Sequence, residues 1–287
     1  MIRGFGAKKP LQPLLGLNGR QRALIVAALA ALFVAAVELG GLLMSDEPIS
    51  THLELRNLAP SAGHLFGTDW LGRDMFTRTV KGLALSIRVG LTAAACSVVI
   101  AALLGFAAAT LGRTADKIVS WLIDLFLSVP HLVTLILISF VFGGGLKGVV
   151  IGIAFTHWPS LARVIRAELL QLKSADYIQV SRRLGKSRLW IASRHMLPHI
   201  LPQLLVGMLL LFPHAILHEA AITFLGLGLS PHQPAVGIIL SESMRYLSTG
   251  MWWLAVFPGL SLLVTVRAFD RIGENLRGLL DPHRSHD

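Results

Sequence analysis

The chain has 287 residues, 54% of them hydrophobic and 15% charged, with a mean hydropathy of +0.66. Soluble proteins carry roughly 25% charged residues, so a soluble domain, a disordered chain, a coiled coil and a secreted disulfide scaffold are all disfavoured, and the single cysteine, Cys96, excludes an intrachain disulfide and a multi-cysteine zinc site. Basic residues exceed acidic ones by 26 to 16, which in so apolar a chain points to cytoplasmic loops and anionic lipid, with no nucleic acid involved.

The first apolar run, 23–44, is interrupted only by Glu38 and follows a basic segment, 1–22, with Arg3, Lys8, Lys9, Arg20 and Arg22. It exceeds the roughly 7–15 apolar residues of a cleavable signal, so an uncleaved first span is expected. Further runs cover about 89–111, 118–142, 146–161, 200–229 and 252–269. Asp124 and Pro130 interrupt the third. Trp158 and Pro159 mark the end of the fourth, and Pro202, Pro213, two histidines and Glu219 lie within the fifth. Polar groups at these depths face a bundle interior, a cavity or a partner. The expected architecture is an all-α integral membrane protein with six transmembrane helices. Its parts are a first helix at 23–44, a loop at 45–82, a five-helix core at 83–270 and a tail at 271–287.

Charge sets the expected orientation. Residues 163–198 hold eight Lys and Arg against Glu168 and Asp176, whereas residues 45–82 are nearly balanced. Both termini and the loop 163–198 are therefore expected on the cytoplasmic side, and loops 45–82, 143–147 and 230–251 outside.

The loop 163–198 is longer than a simple helix connection. Ala175 to Leu184 reads as a short amphipathic helix ended by Gly185, followed by a second short helix, about Leu189 to Met196, and by Leu197-Pro198. Such a helix can act as a lever driven by a soluble partner or can lie on anionic headgroups. The stretch Asp176-Tyr177-Ile-Gln179-Val180-Ser181-Arg-Arg-Leu184-Gly185, closed by Leu197-Pro198, resembles the Glu-Ala-Ala coupling loop of ABC importer permeases. Gln179 stands where that pattern has Glu, and Val180 where it has the first Ala.

Other segments narrow the resemblance to the peptide/nickel permeases, specifically their C-type subunit. They are Gly67-Thr68-Asp69-Trp-Leu-Gly72-Arg73-Asp74 with Thr77-Arg78, Trp158 to Arg166, Glu219-Ala220 through Phe224 to Gly228, Phe257-Pro-Gly259 and Leu280-Asp-Pro282. Val236 and Asp270 depart from the usual residues. The resemblance implies an ABC type I importer permease fold in the bacterial inner (plasma) membrane. It also implies a homologous permease subunit as heterodimer partner, two ATPase subunits that bind ATP and Mg, and an extracytoplasmic substrate-binding protein. No cofactor is expected in this chain.

His214 and His218 lie four apart on the fifth span, beside Glu219, so the two rings are expected on one helix face. Neutral imidazole ligates nickel, copper and zinc, and the pair is a candidate for transient metal contacts in the pathway. The alternative is rings bonded to backbone carbonyls or to the partner. By resemblance, histidines at both places look like the nickel-type members, so nickel or a metal chelate is the expected cargo and di- or oligopeptides the alternative. Glu219 is expected to brace the dimer or the pore, and Thr156-His157 to be structural. In the 67–74 motif, Asp69 is read as a helix cap and Arg73 with Asp74 as a local pair, beneath either an external gate or a plain turn.

The sequence has no G-x-x-x-x-G-K-[ST] loop, and neither His-Glu-x-x-His nor Gly-x-Ser-x-Gly. The chain is thus read as a non-enzymatic transport subunit powered by others. An autonomous secondary transporter or channel would be expected to show internal repeats, and none stands out.

Overall fold

A computed structural model describes residues 19–280 of the chain. The basic residues Arg3, Lys8 and Lys9, and Asp281-Pro282 of the tail motif, lie outside them. Ten helices follow in order: α1 (Gly19–Leu43), α2 (Met75–Thr110), α3 (Arg113–Ser128), α4 (His131–Val141), α5 (Gly145–Leu172), α6 (Asp176–Arg183), α7 (Arg188–Ile191), α8 (Leu197–Phe224), α9 (Val236–Ser243) and α10 (Trp253–Leu280). Among the described residues no β-sheet forms.

At about 1.5 Å per residue, spanning a hydrocarbon core of about 30 Å takes some 20 residues. Helices α1, α2, α5, α8 and α10 are long and apolar enough to do so, and the pair α3–α4 brings the total to six if counted as one span. The apolar run at 118–142 reads as one span kinked at Pro130, and α3 and α4 are bent 102° from each other. The cause is local. Pro130 holds φ at −55° and forces Val129 into an extended conformation, with ψ at 141°, because a residue before proline is pushed out of the helical region.

Two further boundaries differ from expectation. Trp158-Pro159 does not end the fourth span, since α5 continues through Pro159 to Leu172. Leu197-Pro198 does not close the coupling segment either. Pro198 sits in the first turn of α8, where a missing N–H costs little. A π-helical turn, Ala192–Met196, joins α7 directly to α8, so residues 188–224 form one continuous rod.

Helix α2 is central, and small residues set its packing distances. A Cβ on Gly105 would lie 2.6 Å from Ile165 of α5, and one on Gly90 would lie 3.1 Å from Phe212 of α8. Ser97 on the same helix donates to the Ala154 carbonyl of α5 at 2.9 Å. Such close backbone approach drives helix association where lipid removes the hydrophobic incentive. Helix α1 is largely exposed and leans on α2 and α10. Its one carboxylate, Glu38, pairs with Arg88 of α2 at 3.0 Å.

Candidate functional site

Three places gather the residues singled out in the sequence. The first is the 67–74 motif. Asp69 is fully buried. Its Oδ1 accepts from the backbone N–H groups of Leu71 (2.9 Å) and Arg73 (3.0 Å). Its Oδ2 accepts from Arg73 Nε (2.7 Å) and Arg78 Nη1 (2.6 Å). Both arginines also reach Glu242 of α9, at 3.3 and 2.9 Å. This two-arginine, two-carboxylate network corrects the expected roles: Asp69 caps no helix, and Arg73 pairs with Asp69 and Glu242 instead of Asp74.

Asp74 is the N-cap of α2, accepting from the Thr77 N–H at 2.9 Å, and it also meets His64 Nδ1 at 3.3 Å. Thr68 Oγ1 donates to the Leu55 carbonyl and accepts from the Leu58 N–H at 2.9 Å. Gly67 is buried against the carbonyl of Leu58 and Trp253. Gly72 has φ at +75°, and a Cβ there would lie 1.7 Å from the His52 carbonyl oxygen, so the turn admits only glycine. Trp70 stacks on Tyr246 at 4.6 Å. The motif therefore knits residues 45–74 to α9 and the turn after it.

The second place is the coupling segment. Helix α6 buries Ile178 completely and exposes Tyr177, Val180 and Leu184, with Leu189 and Trp190 exposed beyond them. Asp176 opens the helix and is exposed. Gly185 ends it with φ at +77°, the left-handed conformation of a helix C-terminus. Gln179 turns inward and donates through Nε2 to the Lys173 carbonyl at 2.9 Å, tying α6 to the end of α5. Ser181 bonds the Tyr177 carbonyl at 2.9 Å and lies 3.2 Å from His195 Nε2. Leu197 and Pro198 are exposed at the start of α8. The helix thus presents an apolar strip flanked by Arg182, Arg183 and Lys186.

The third place is a cleft of about 490 Å³ between the α3–α4 joint, α5, α8 and the end of α10, with Arg277 in its lining. His214 and His218 both line it. His218 Nδ1 lies 2.6 Å from the His214 carbonyl oxygen, and its ring meets His131 and His157, with centroids 4.5 and 5.1 Å away. His157, expected to be structural, is part of this cluster. Glu219 does not line the cleft. It is fully buried and accepts from Thr223 Oγ1 at 2.9 Å.

Sequence spacing could find the i,i+4 pair on α8. It had no means of bringing His131 and His157 to it from two other helices. Likewise Asp124, inside the third apolar run, is exposed and pairs with Arg163 at 2.8 Å, and Asp116 pairs with Arg166 of α5.

Comparison with known proteins agrees with this architecture. A Bacillus subtilis relative, the dipeptide transport system permease protein DppC, is 34% identical over 251 residues, covering 88% of this chain and 78% of its own. A Brucella suis relative, whose name refers to a peptide transport system permease, is 36% identical over 254 residues, with 88% and 85% covered. The Escherichia coli relative DdpC, whose name refers to a D,D-dipeptide transport system, is 35% identical over 240 residues, with 84% and 80% covered. The family model described as "Binding-protein-dependent transport system inner membrane component" matches residues 62–277. The chain therefore belongs to that family, the permease subunits of ABC importers, and is a multi-pass protein of the bacterial inner membrane.

Proposed function

We propose that this chain forms half of the membrane pathway for di- or oligopeptides in an ATP-driven, binding-protein-dependent importer. The observation that carries the substrate is the set of relatives, 34–36% identical over most of both chains, whose names refer to peptide or dipeptide transport. It favours peptides over nickel, the cargo that the two histidines on α8 suggested in the sequence.

In this reading the second half is a homologous permease, a substrate-binding protein delivers cargo from outside, and two ATPase subunits bind ATP and Mg. The charge pattern supports cytoplasmic termini and a cytoplasmic α6. The apolar strip of Tyr177, Val180 and Leu184 suits a groove in an ATPase, in the manner of an amphipathic helix docking. A push on α6 passes to α5 through the Gln179 bond and to α8 through the continuous α7–α8 rod. Helices α5 and α8 both line the cleft, so the same push reshapes it and alternates access.

Uptake in cells lacking the gene and in cells carrying it on a plasmid tests this reading. Labelled dipeptide accumulation restored by the plasmid supports it. Nickel accumulation restored without dipeptide accumulation overturns it.

A further inference from the structure

We propose that His131, His157 and His218 form a binding site for a divalent transition ion of the zinc–cobalt–nickel class, with one imidazole nitrogen from each as ligand. The rings come from the start of α4, the middle of α5 and the last two turns of α8. One nitrogen of each lies within 4.8 Å of the others, and the ring centroids are 4.5, 4.5 and 5.1 Å apart. A tetrahedral ion with metal–nitrogen bonds of about 2.0–2.1 Å needs its ligand nitrogens about 3.3 Å apart. Each ring then moves inward by roughly an ångström, within the reach of small side-chain rotations.

The hydrogen bonds prepare the lone pairs. His157 Nδ1 lies 3.0 Å from the Ile153 carbonyl, and His218 Nδ1 lies 2.6 Å from the His214 carbonyl. A carbonyl only accepts, so each Nδ1 carries the proton and each Nε2 keeps a free pair. A backbone carbonyl on the remote nitrogen is the usual support of a metal-bound imidazole.

His157 is 7% exposed, and its Nε2 is buried with no hydrogen-bond partner; His131 Nδ1 is likewise buried and unpartnered. Unsatisfied nitrogens buried within a membrane bundle are costly, and a cation satisfies both at once. Three imidazoles with one position left for another donor make up a known type of open zinc site. The cleft supplies that position, and Ser160, Gln203 and His214 line it as well. No carboxylate lines it, so water or a passing anionic or amine donor completes the shell.

The test uses full-length protein purified without a histidine tag, titrated with cobalt(II) and then zinc(II). The expected result is about one ion per chain, with the intense ligand-field bands of tetrahedral cobalt and a rise in melting temperature. His157→Gln and His218→Gln, which keep a donor for the backbone carbonyl, are each expected to weaken binding at least about tenfold, and half-buried His131→Asn likewise. His199→Ala, an exposed histidine of α8 outside the cleft, is expected to leave it unchanged. Failure of folded wild-type protein to bind cobalt or zinc overturns the proposal. So does binding undiminished in whichever ligand variants fold. Metal binding is read without transport, so this inference and the peptide reading stand or fall separately.

Discussion

Asp69 and Arg78 show how much of a residue's role lies in its surroundings. Both are almost wholly buried, and they meet at 2.6 Å. Removing Arg78 leaves Asp69 and Glu242 to share Arg73 alone, a loss of up to the roughly 3–5 kcal/mol of breaking a buried pair. Arg78→Ala is thus expected to lower the melting temperature of the detergent-solubilised protein strongly. Arg163→Ala breaks an exposed pair with Asp124 and is expected to cost under about 1 kcal/mol, because water screens both charges. Equal shifts in the two melts would contradict the burial argument. The motif itself is visible in the sequence, as are its tight glycines. Its partner Glu242 is not, because nothing local to residues 67–78 signals a carboxylate 164 positions away. The histidines teach the same lesson. Period 3.6 finds neighbours on one helix, whereas the cluster that assembles spans three.

At the scale of elements, apolar runs located every span, and breaks within them were harder to read. Pro130 turns one run into two helices, whereas Pro159, Pro202 and Pro213 sit inside helices that continue. Prolines inside a membrane helix are tolerated where neighbouring groups and local adjustments satisfy the freed backbone carbonyl. Helix α6 was legible in full, because its apolar side, its exposed charges and its terminal glycine all read locally. Its exposed strip makes a sharp expectation. Val180→Asp with Leu184→Asp is expected to abolish co-purification of the ATPases while leaving the monodispersity and melting temperature of the permease unchanged; retained ATPases would remove α6 as the dock. Gln179 can be separated from that surface. In Gln179→Glu an ionised carboxylate cannot donate to the Lys173 carbonyl, so the joint between α5 and α6 is expected to lose about 1 kcal/mol, read as faster amide hydrogen exchange at residues 173–179. Exchange unchanged there would show that the bond does not hold the joint.

For the whole molecule, hydropathy and charge set the class before any contact was known: an apolar chain whose excess of positive charge is concentrated in two segments. That asymmetry makes the orientation testable. In a Cys96→Ser background, Ser248→Cys is expected to react with a membrane-impermeant thiol reagent in intact cells, and Ser193→Cys only after the membrane is opened. Both positions are exposed, so reversed labelling would invert the topology. Cargo was the least legible feature, because histidine spacing suggested a metal while the likeness to whole relatives favours peptides. The most direct measurement is dipeptide uptake into proteoliposomes containing this chain, its sister permease, the ATPases and the binding protein. Uptake that requires ATP, and that stops when this chain is left out or carries the two α6 aspartates, is the predicted result. Dipeptide uptake by this chain alone, or by the full set without ATP, would contradict it.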